Sequence, residues 1–187
     1  MKMIGYCFCG SFCTIAGSIK ILRSLAAEGN QILPIMSDSV YTTDTRFGRA
    51  ADTVRTVEEI CGRTVVHTIV DAEPIGPKIA LDMLVIAPCT GNTLAKLAAG
   101  ITDTPVTMAA KAQLRRDRPV VIALATNDGL SANLKNIGLL MSRKNIFFVP
   151  MAQDDPENKP YSLVCDFDML KSTMVSAFAG RQITPVF

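Results

Sequence analysis

The sequence predicts an α/β fold, an open parallel sheet with helices on both faces. Short apolar or β-branched segments alternate with helical patterns along the chain, which is typical of this class. The first 37 residues form a strand–helix–strand unit, and parallel strands need such a crossover helix. Met83–Ala87 is continuously apolar, as in strands that a parallel sheet buries on both faces. We therefore expect this segment to be the central strand.

Length and composition exclude several classes of protein. A chain of 187 residues with 49% hydrophobic and 19% charged side chains predicts one globular domain over residues 1–187 and excludes disorder. The formal charge of +2 is small and evenly spread, so nucleic acid is not an expected partner. No apolar run approaches the roughly 18 residues of a membrane span, and the N-terminal segment continues into a helical pattern without a cleavage region. We expect a cytoplasmic protein.

The first elements follow from apolar spacing and from terminating glycines. Ile15 and Leu22 share one face of a first helix, which ends at Gly29. Val40–Arg49 is polar and aperiodic and predicts a loop, either a solvated lid or a functional segment. The other elements of this half are the strands Met3–Cys9, Ile32–Ser37 and the β-branched Thr64–Val70, and the helix Ala50–Cys61, which ends at Gly62.

The second half continues the alternation without an internal repeat. Thr104 provides an N-cap and Pro105 the first position of a helix that ends near Arg116. The remaining elements are the helix Leu94–Ala99, the strand Val120–Ala125, a helix from about Ser131 to Arg143, the strand Ile146–Val149 and a last helix from about Asp166 to Ala179.

The thiols and the single histidine suggest no metal site and no nucleophile system. The six cysteines form no C-x-x-C pair and lie at no zinc-ligand spacing, so we expect reduced thiols that act mostly as small buried hydrophobes. Cys89 stays open as a reactive thiol. His67 lies inside the predicted third strand, which favours a core or edge position over a catalytic one. Lys111, Arg115 and Arg116 are more typical of a solvated helix end than of a carboxylate site.

The candidate site lies in the segments that follow the strands, because ligands of open α/β sheets bind beyond the carboxyl ends. After the first strand, helix N–H groups together with the hydroxyls of Ser11 and Thr14 suit a phosphate; a capped helix without ligand is the equal alternative. Dinucleotide and P-loop glycine spacings are absent, and Ser37 stands where an NAD site usually has an acid. This favours a mononucleotide over NAD or ATP.

Two further polar turns follow buried strands. Pro88–Thr93 can present amides to a flat ring, although an elaborate N-cap made by Thr90 or Asn92 explains the same residues. Asn127 can donate and accept hydrogen bonds beside the carboxylate of Asp128, which suits a polar substrate. A simple turn before the next helix is the alternative there.

The chain resembles the flavoprotein family of cysteine decarboxylases and flavin prenyltransferases over essentially its whole length. The matching segments are Gly10-Ser11, Ser37, the run Ala87–Asp103 and Asn127. The resemblance implies a three-layer, Rossmann-like fold of flavodoxin type, bound FMN, and a homo-oligomer built from trimers with the flavin near a boundary between protomers. It also implies that the phosphate end of FMN is held by Gly10, Ser11, Phe12 and Ser37, and that the ring faces Pro88, Cys89, Thr90, Asn92 and Thr93.

Further segments resemble one branch of this family, in which the flavoprotein works with a separate subunit that uses NADP or NAD. They are Glu73–Pro77, Lys135–Leu140 and Gln153–Pro156. This resemblance implies conversion of a small dicarboxylate, a dihydro or hydroxy-tetrahydro precursor from the lysine pathway, into a pyridine dicarboxylate. Asn127 and Asp128 would then bind the substrate, and the location implied is the mother cell of a sporulating bacterium.

Two departures separate the chain from the decarboxylases. Glu73–Pro77 occupies the stretch where they have a catalytic histidine, and His67 lies several residues too early. Met151–Pro156 stands in place of their Cys-Gly substrate clamp. No catalytic residue is assigned. We expect an oxidoreductase subunit whose flavin accepts electrons; the alternatives are a non-catalytic partner of the second subunit and a stand-alone decarboxylase or prenyltransferase.

Overall fold

The computed structural model describes residues 1–187 and is built on a sheet of seven strands. The strands are β1 Met3–Phe8, β2 Gln31–Met36, β3 Met83–Cys89, β4 Val120–Thr126, β5 Ile146–Phe148, β6 Met151–Ala152 and β7 Leu163–Cys165. Five of them are parallel in the order β2-β1-β3-β4-β5. Every residue of β3 is buried, which confirms the predicted central strand.

Eight α-helices cover the two faces of the sheet. They are α1 Ile15–Ala27, α2 Asp38–Thr42, α3 Ala50–Cys61, α4 Ile69–Ala72, α5 Gly91–Ala99, α6 Pro105–Leu114, α7 Leu134–Met141 and α8 Leu170–Phe178. Two core clusters, one on each face, hold the layers together. Leu22, Val57 and Met174 bring α1, α3 and α8 onto one face. Leu94, Ala109 and Ile137 bring α5, α6 and α7 onto the opposite face. The three-layer Rossmann-like fold is therefore confirmed.

The strand order reverses between β1 and β3. The chain leaves β1 toward α1 on one face and leaves β3 toward α5 on the opposite face. The loops that diverge at such a point leave a crevice beyond the carboxyl ends of the strands, where ligands of this architecture bind. The predicted loops Gly10–Thr14 and Pro88–Thr93 lie on its two sides.

The prediction of a third strand over Thr64–Val70 is wrong. Val66 forms only an isolated bridge with Ile35, donating to the carbonyl of Pro34 and accepting from Met36. The ladder cannot extend backward, because Pro34 has no N–H to donate. It cannot extend forward, because the side chain of Thr68 caps the short helix α4. His67 consequently lies in a loop, not in a strand.

The sheet has a short antiparallel extension that the sequence did not predict. β7 pairs with the end of β4 through Ala125 and Val164, and β6 pairs with β7. Gly129 makes room for this strand, since a Cβ at that position would lie 2.8 Å from the Cβ of Leu163. Strands of two or three residues are too short to leave a period-2 pattern.

Several boundaries also differ from the prediction. The polar loop Val40–Arg49 begins with part of a helix, since α2 extends from Asp38 to Thr42. The helix predicted from about Ser131 begins at Leu134, with Asn133 at its N-cap. The last helix begins with a 3-10 turn that Asp166 caps. None of the helices combines the length and the apolar character needed to cross a bilayer.

Candidate flavin site

The predicted loops meet at the crevice between β1 and β3. The N–H of Cys9 donates to the carbonyl of Pro88 at 3.1 Å, which joins the ends of the two strands. The N–H of Ser37 donates to the carbonyl of Phe8 at 2.9 Å and brings in the end of β2. The hydroxyl of Thr93 donates to the sulfur of Cys9 at 3.4 Å, which fixes the start of α5 against β1. Segments far apart in sequence thus form one polar surface.

Serine hydroxyls line the side of this surface where the phosphate end is expected. Ser11 and Ser37 each precede a helical turn, yet neither side chain makes a capping hydrogen bond. The hydroxyl of Ser39 lies 3.0 Å from that of Ser37. A Cβ at Gly10 would lie 2.9 Å from this Ser39 hydroxyl, so only glycine lets the first loop approach the second. These donors fit the oxygen atoms of a phosphate.

Ser39 was not predicted from the sequence. The signal that could have found it is the Ser-x-Ser spacing that follows β2. Phe12 lies at the edge of the same surface, where a cleft of about 180 Å³ opens between the start of α1 and the segment Val40–Gly48. No charged side chain lines this cleft, and Phe47 stands exposed at its mouth.

On the expected ring side, most of the predicted side chains are buried. Thr90 caps α5: its hydroxyl accepts from the N–H of Thr93 at 3.3 Å, as in the N-cap interpretation of this turn. Pro88, Cys89 and Thr93 are buried, Thr90 is half-buried and Asn92 is exposed. Only Thr90 and Asn92 therefore present side chains at the surface, and the other three would meet a ring through the backbone around them.

The thiol of Cys89 is held in a neutral state. Its side chain is fully buried and its sulfur donates to the carbonyl of Thr90 at 3.6 Å. Burial raises the pKa of this thiol well above its ordinary value, and the neighbouring thiols of Cys9 and Cys7 raise it further. Because the thiolate is the nucleophile, the surroundings of Cys89 do not activate it. Four of the six cysteines are buried, as the sequence predicted.

Asn127 and Asp128 differ in their surroundings. Asn127 is exposed and its side chain makes no hydrogen bond within the chain. The carboxylate of Asp128 accepts from the hydroxyl of Thr126 at 2.5 Å and from the amide of Asn133 at 2.9 and 2.8 Å. A Cβ at Gly91 would lie within 2.8 Å of all three of these side chains. Asp128 therefore connects the loop after β4 to the N-cap of α7, and Gly91 at the start of α5 packs against this network.

His67 lies outside this site. Its ring stacks on that of Tyr41, with 3.7 Å between centroids and 6° between planes. The half-buried imidazole thus contacts α2, and no carboxylate bonds to it. The predicted absence of a role for His67 in a nucleophile system stays a prediction.

Comparison with known proteins identifies the family. The Flavoprotein family matches residues 1–178. The chain belongs to this family. It is 45% identical, over 185 residues, to the B subunit of dipicolinate synthase from Bacillus subtilis (strain 168), and the match covers 99% of this chain and 92% of that protein. This Flavoprotein member is thus similar to that relative over nearly the full length of both chains.

Solved structures show the same likeness. The dipicolinate synthase B subunit from Bacillus halodurans superposes with a TM-score of 0.90 at 42% identity, covering 99% of this chain and 95% of that one. An FMN-dependent cysteine decarboxylase, SpaF, superposes with a TM-score of 0.73 at 21% identity, covering 96% of each chain. The second comparison shows a shared fold. The Flavoprotein chain described here therefore has the architecture of this structural group.

Proposed function

We propose that the chain is the FMN-binding B subunit of a dipicolinate synthase. It would act with a nicotinamide-dependent A subunit, which uses NADP or NAD, to make pyridine-2,6-dicarboxylate from a dihydro or hydroxy-tetrahydro precursor. The observation that carries this proposal is the 45% identity to a dipicolinate synthase B subunit across 99% of the chain. The implied setting is the mother cell of a sporulating bacterium, with the chain in a homo-oligomer built from trimers.

The donor set supports FMN as the cofactor. Ser11 and Ser37 have hydroxyls without capping bonds, and Gly10 allows the close approach that brings Ser39 beside them. Such a group of donors suits the terminal phosphate of a mononucleotide. On the other side of the crevice, Thr90 fixes the start of α5 and Asn92 stands exposed beside it. The capped turn would present its backbone amides to a flat ring.

Bound FMN would supply a two-electron acceptor for a ring that becomes aromatic. The residues of the chain itself would bind and orient the substrate. Asn127 is the exposed amide next to the crevice, and we propose that it donates to a carboxylate of the substrate. Asp128 bonds to Thr126 and Asn133, and this network would keep the Asn127 turn in place.

The first experiment is the visible absorption spectrum of the purified chain, with identification of any flavin released on denaturation. Stoichiometric FMN is the expected result. A matched pair of variants, Ser37→Ala in the crevice and Ser172→Ala on the exposed surface of α8, should separate cofactor contacts from general effects. A colourless chain that also fails to bind added FMN would exclude the cofactor.

The second experiment tests the electron-acceptor role. Mixing both subunits with the precursor in a stopped-flow instrument should bleach the flavin absorbance at a rate at least equal to turnover. If bleaching is absent, or slower than product formation, the flavin is not the electron acceptor. That result would leave the proposal of flavin binding unaffected.

One observation favours a second candidate function, a non-catalytic partner that positions the A subunit. Among the titratable side chains of these loops, Cys89 is buried and neutral and Asp128 is engaged by Thr126 and Asn133. The chain thus offers beside the crevice no acid, base or nucleophile other than the exposed Cys13 and the exposed Asp38. If the A subunit, purified without this chain, equals the complex in turnover, this second function replaces the first.

A further inference from the structure

A cavity lined by basic side chains lies far from the crevice. It occupies about 300 Å³ between the end of α5 and α6. Gln113, near the end of α6, donates to the carbonyl of Leu81, just before β3 begins. This places the cavity toward the amino ends of the strands, whereas the flavin loops follow their carboxyl ends. It is therefore separate from the site described above.

Three cations and no acid line this cavity. The cations are Lys111, Arg115 and Arg143. The guanidinium of Arg143 donates to the carbonyls of Leu97 and Ala98, at 3.5 and 3.2 Å, and so is held at the end of α5. Lys111 and Arg115 take part in none of the seven ion pairs of the chain and make no side-chain hydrogen bond. Their charges are therefore available to a ligand.

Glu73 is an acidic side chain that shares a neighbouring cavity with two of these cations. It lines a neighbouring cavity on the other flank of α6, which Lys111 and Arg115 also border. Glu73 is exposed and forms no ion pair with either of them. Three like charges around one cavity repel one another, and a bound anion would relieve that repulsion.

The apolar side chains that line the cavity limit the class of ligand. Leu97 is buried there, Leu114 is half-buried and Ile101 is 47% exposed. A lining that combines apolar side chains with three cations suits a flat apolar body that ends in carboxylates, since arginine forks match carboxylate oxygens in pairs. A volume of about 300 Å³ suits a ligand the size of a single small ring.

We infer that this cavity is a second binding site, for a small planar dicarboxylate held by Lys111, Arg115 and Arg143 beside Leu97 and Ile101. The site does not depend on flavin binding. Only the choice of pyridine-2,6-dicarboxylate as the probe rests on the proposed function. Binding should weaken as salt concentration rises, because part of the attraction acts near solvent.

The test is isothermal titration calorimetry of the full chain with pyridine-2,6-dicarboxylate. The double variant Lys111→Gln/Arg115→Gln changes two exposed side chains, so it should fold, and circular dichroism checks this. Its affinity should fall by about tenfold or more, since both charge-assisted bonds are lost. Lys20→Gln, which removes an exposed lysine on α1, should leave the affinity unchanged.

Other outcomes overturn the inference. Absence of binding to the wild-type chain overturns it, as does equal affinity in the double variant, which would place the ligand elsewhere. Inorganic phosphate that binds as tightly as the dicarboxylate would show a general anion trap. Amide NMR shifts at Ile101 and Thr102 should locate the ligand. The flavin spectrum reports separately on the proposed function, so either proposal can fail while the other stands.

Discussion

At the scale of single residues, Gly91 has the most restrictive surroundings of the candidate site. A Cβ there would lie 2.5 Å from the amide nitrogen of Asn133 and 2.5 Å from the hydroxyl of Thr126. Gly91→Ala should therefore lower the free energy of unfolding by about 1–3 kcal/mol, the usual cost of overpacking, in a urea titration.

Gly138 provides the matched control for that substitution. It lies on the exposed face of α7 and a Cβ there meets nothing within 4 Å. Gly138→Ala should raise the free energy of unfolding by about 0.5–1 kcal/mol, because alanine favours a helix. Equal urea midpoints for Gly91→Ala and the wild-type chain would contradict the packing described around α5.

The cysteines allow a prediction about reactivity. Cys13 is exposed, whereas Cys89 is fully buried with a raised pKa. Iodoacetamide should therefore label Cys13 in the folded chain and spare Cys89, as mass spectrometry of peptides would show. Both should react in denaturing urea, which serves as the control. Labelling of Cys89 in the folded chain at the rate of Cys13 would restore the hypothesis of a reactive thiol.

At the scale of elements, the N-caps of α5 and α6 form a natural pair for comparison. Thr90 and Thr104 each accept from the backbone N–H three residues later. Thr90→Ala and Thr104→Ala should each lower the free energy of unfolding by about 1 kcal/mol. Only Thr90→Ala should also weaken FMN binding, because Thr104 caps α6, beyond the far end of α5. Equal flavin titrations for the two variants would show that the Thr90 turn does not orient the ring.

The elements also show which parts of the fold were predictable. The helix Ala50–Cys61 was predicted at its observed bounds, since its apolar spacing and the following Gly62 are local signals. The strand Thr64–Val70 was predicted wrongly, because its fate depends on Pro34 in a different strand. β6 and β7 depend in the same way on the room beside Gly129. Pairing partners distant in sequence leave no local pattern.

The candidate site was also only partly predictable from the sequence. The sequence located its loops, since they follow strands, and the structure brings them together. It could not show that Thr93 is buried against Cys9, or that Asp128 is engaged by Thr126 and Asn133. Those contacts arise only when β1, β3 and β4 lie side by side.

At the scale of the whole molecule, the buried thiols should make the free energy of unfolding fall at alkaline pH. Burial raises the pKa of Cys9 from 9.0 to about 11 and that of Cys165 from 9.0 to about 12. Above about pH 9 these thiols ionise in the unfolded chain while they stay protonated in the folded one. The unfolded state then binds fewer protons, so the free energy of unfolding falls as pH rises. The stabilisation is complete below pH 9 and is lost toward pH 11–12.

Urea titrations at about pH 8 and about pH 10.5 should show this fall in the free energy of unfolding, on the order of 1–2 kcal/mol for each buried thiol. Cys9→Ala removes one of these groups and leaves Cys165 in place, so its fall between the two pH values should be smaller than that of the wild-type chain. The comparison uses the difference between pH values, which cancels the packing cost of the substitution itself. An identical fall in both proteins would mean that Cys9 does not contribute, and that groups other than this thiol set the alkaline limit of the fold.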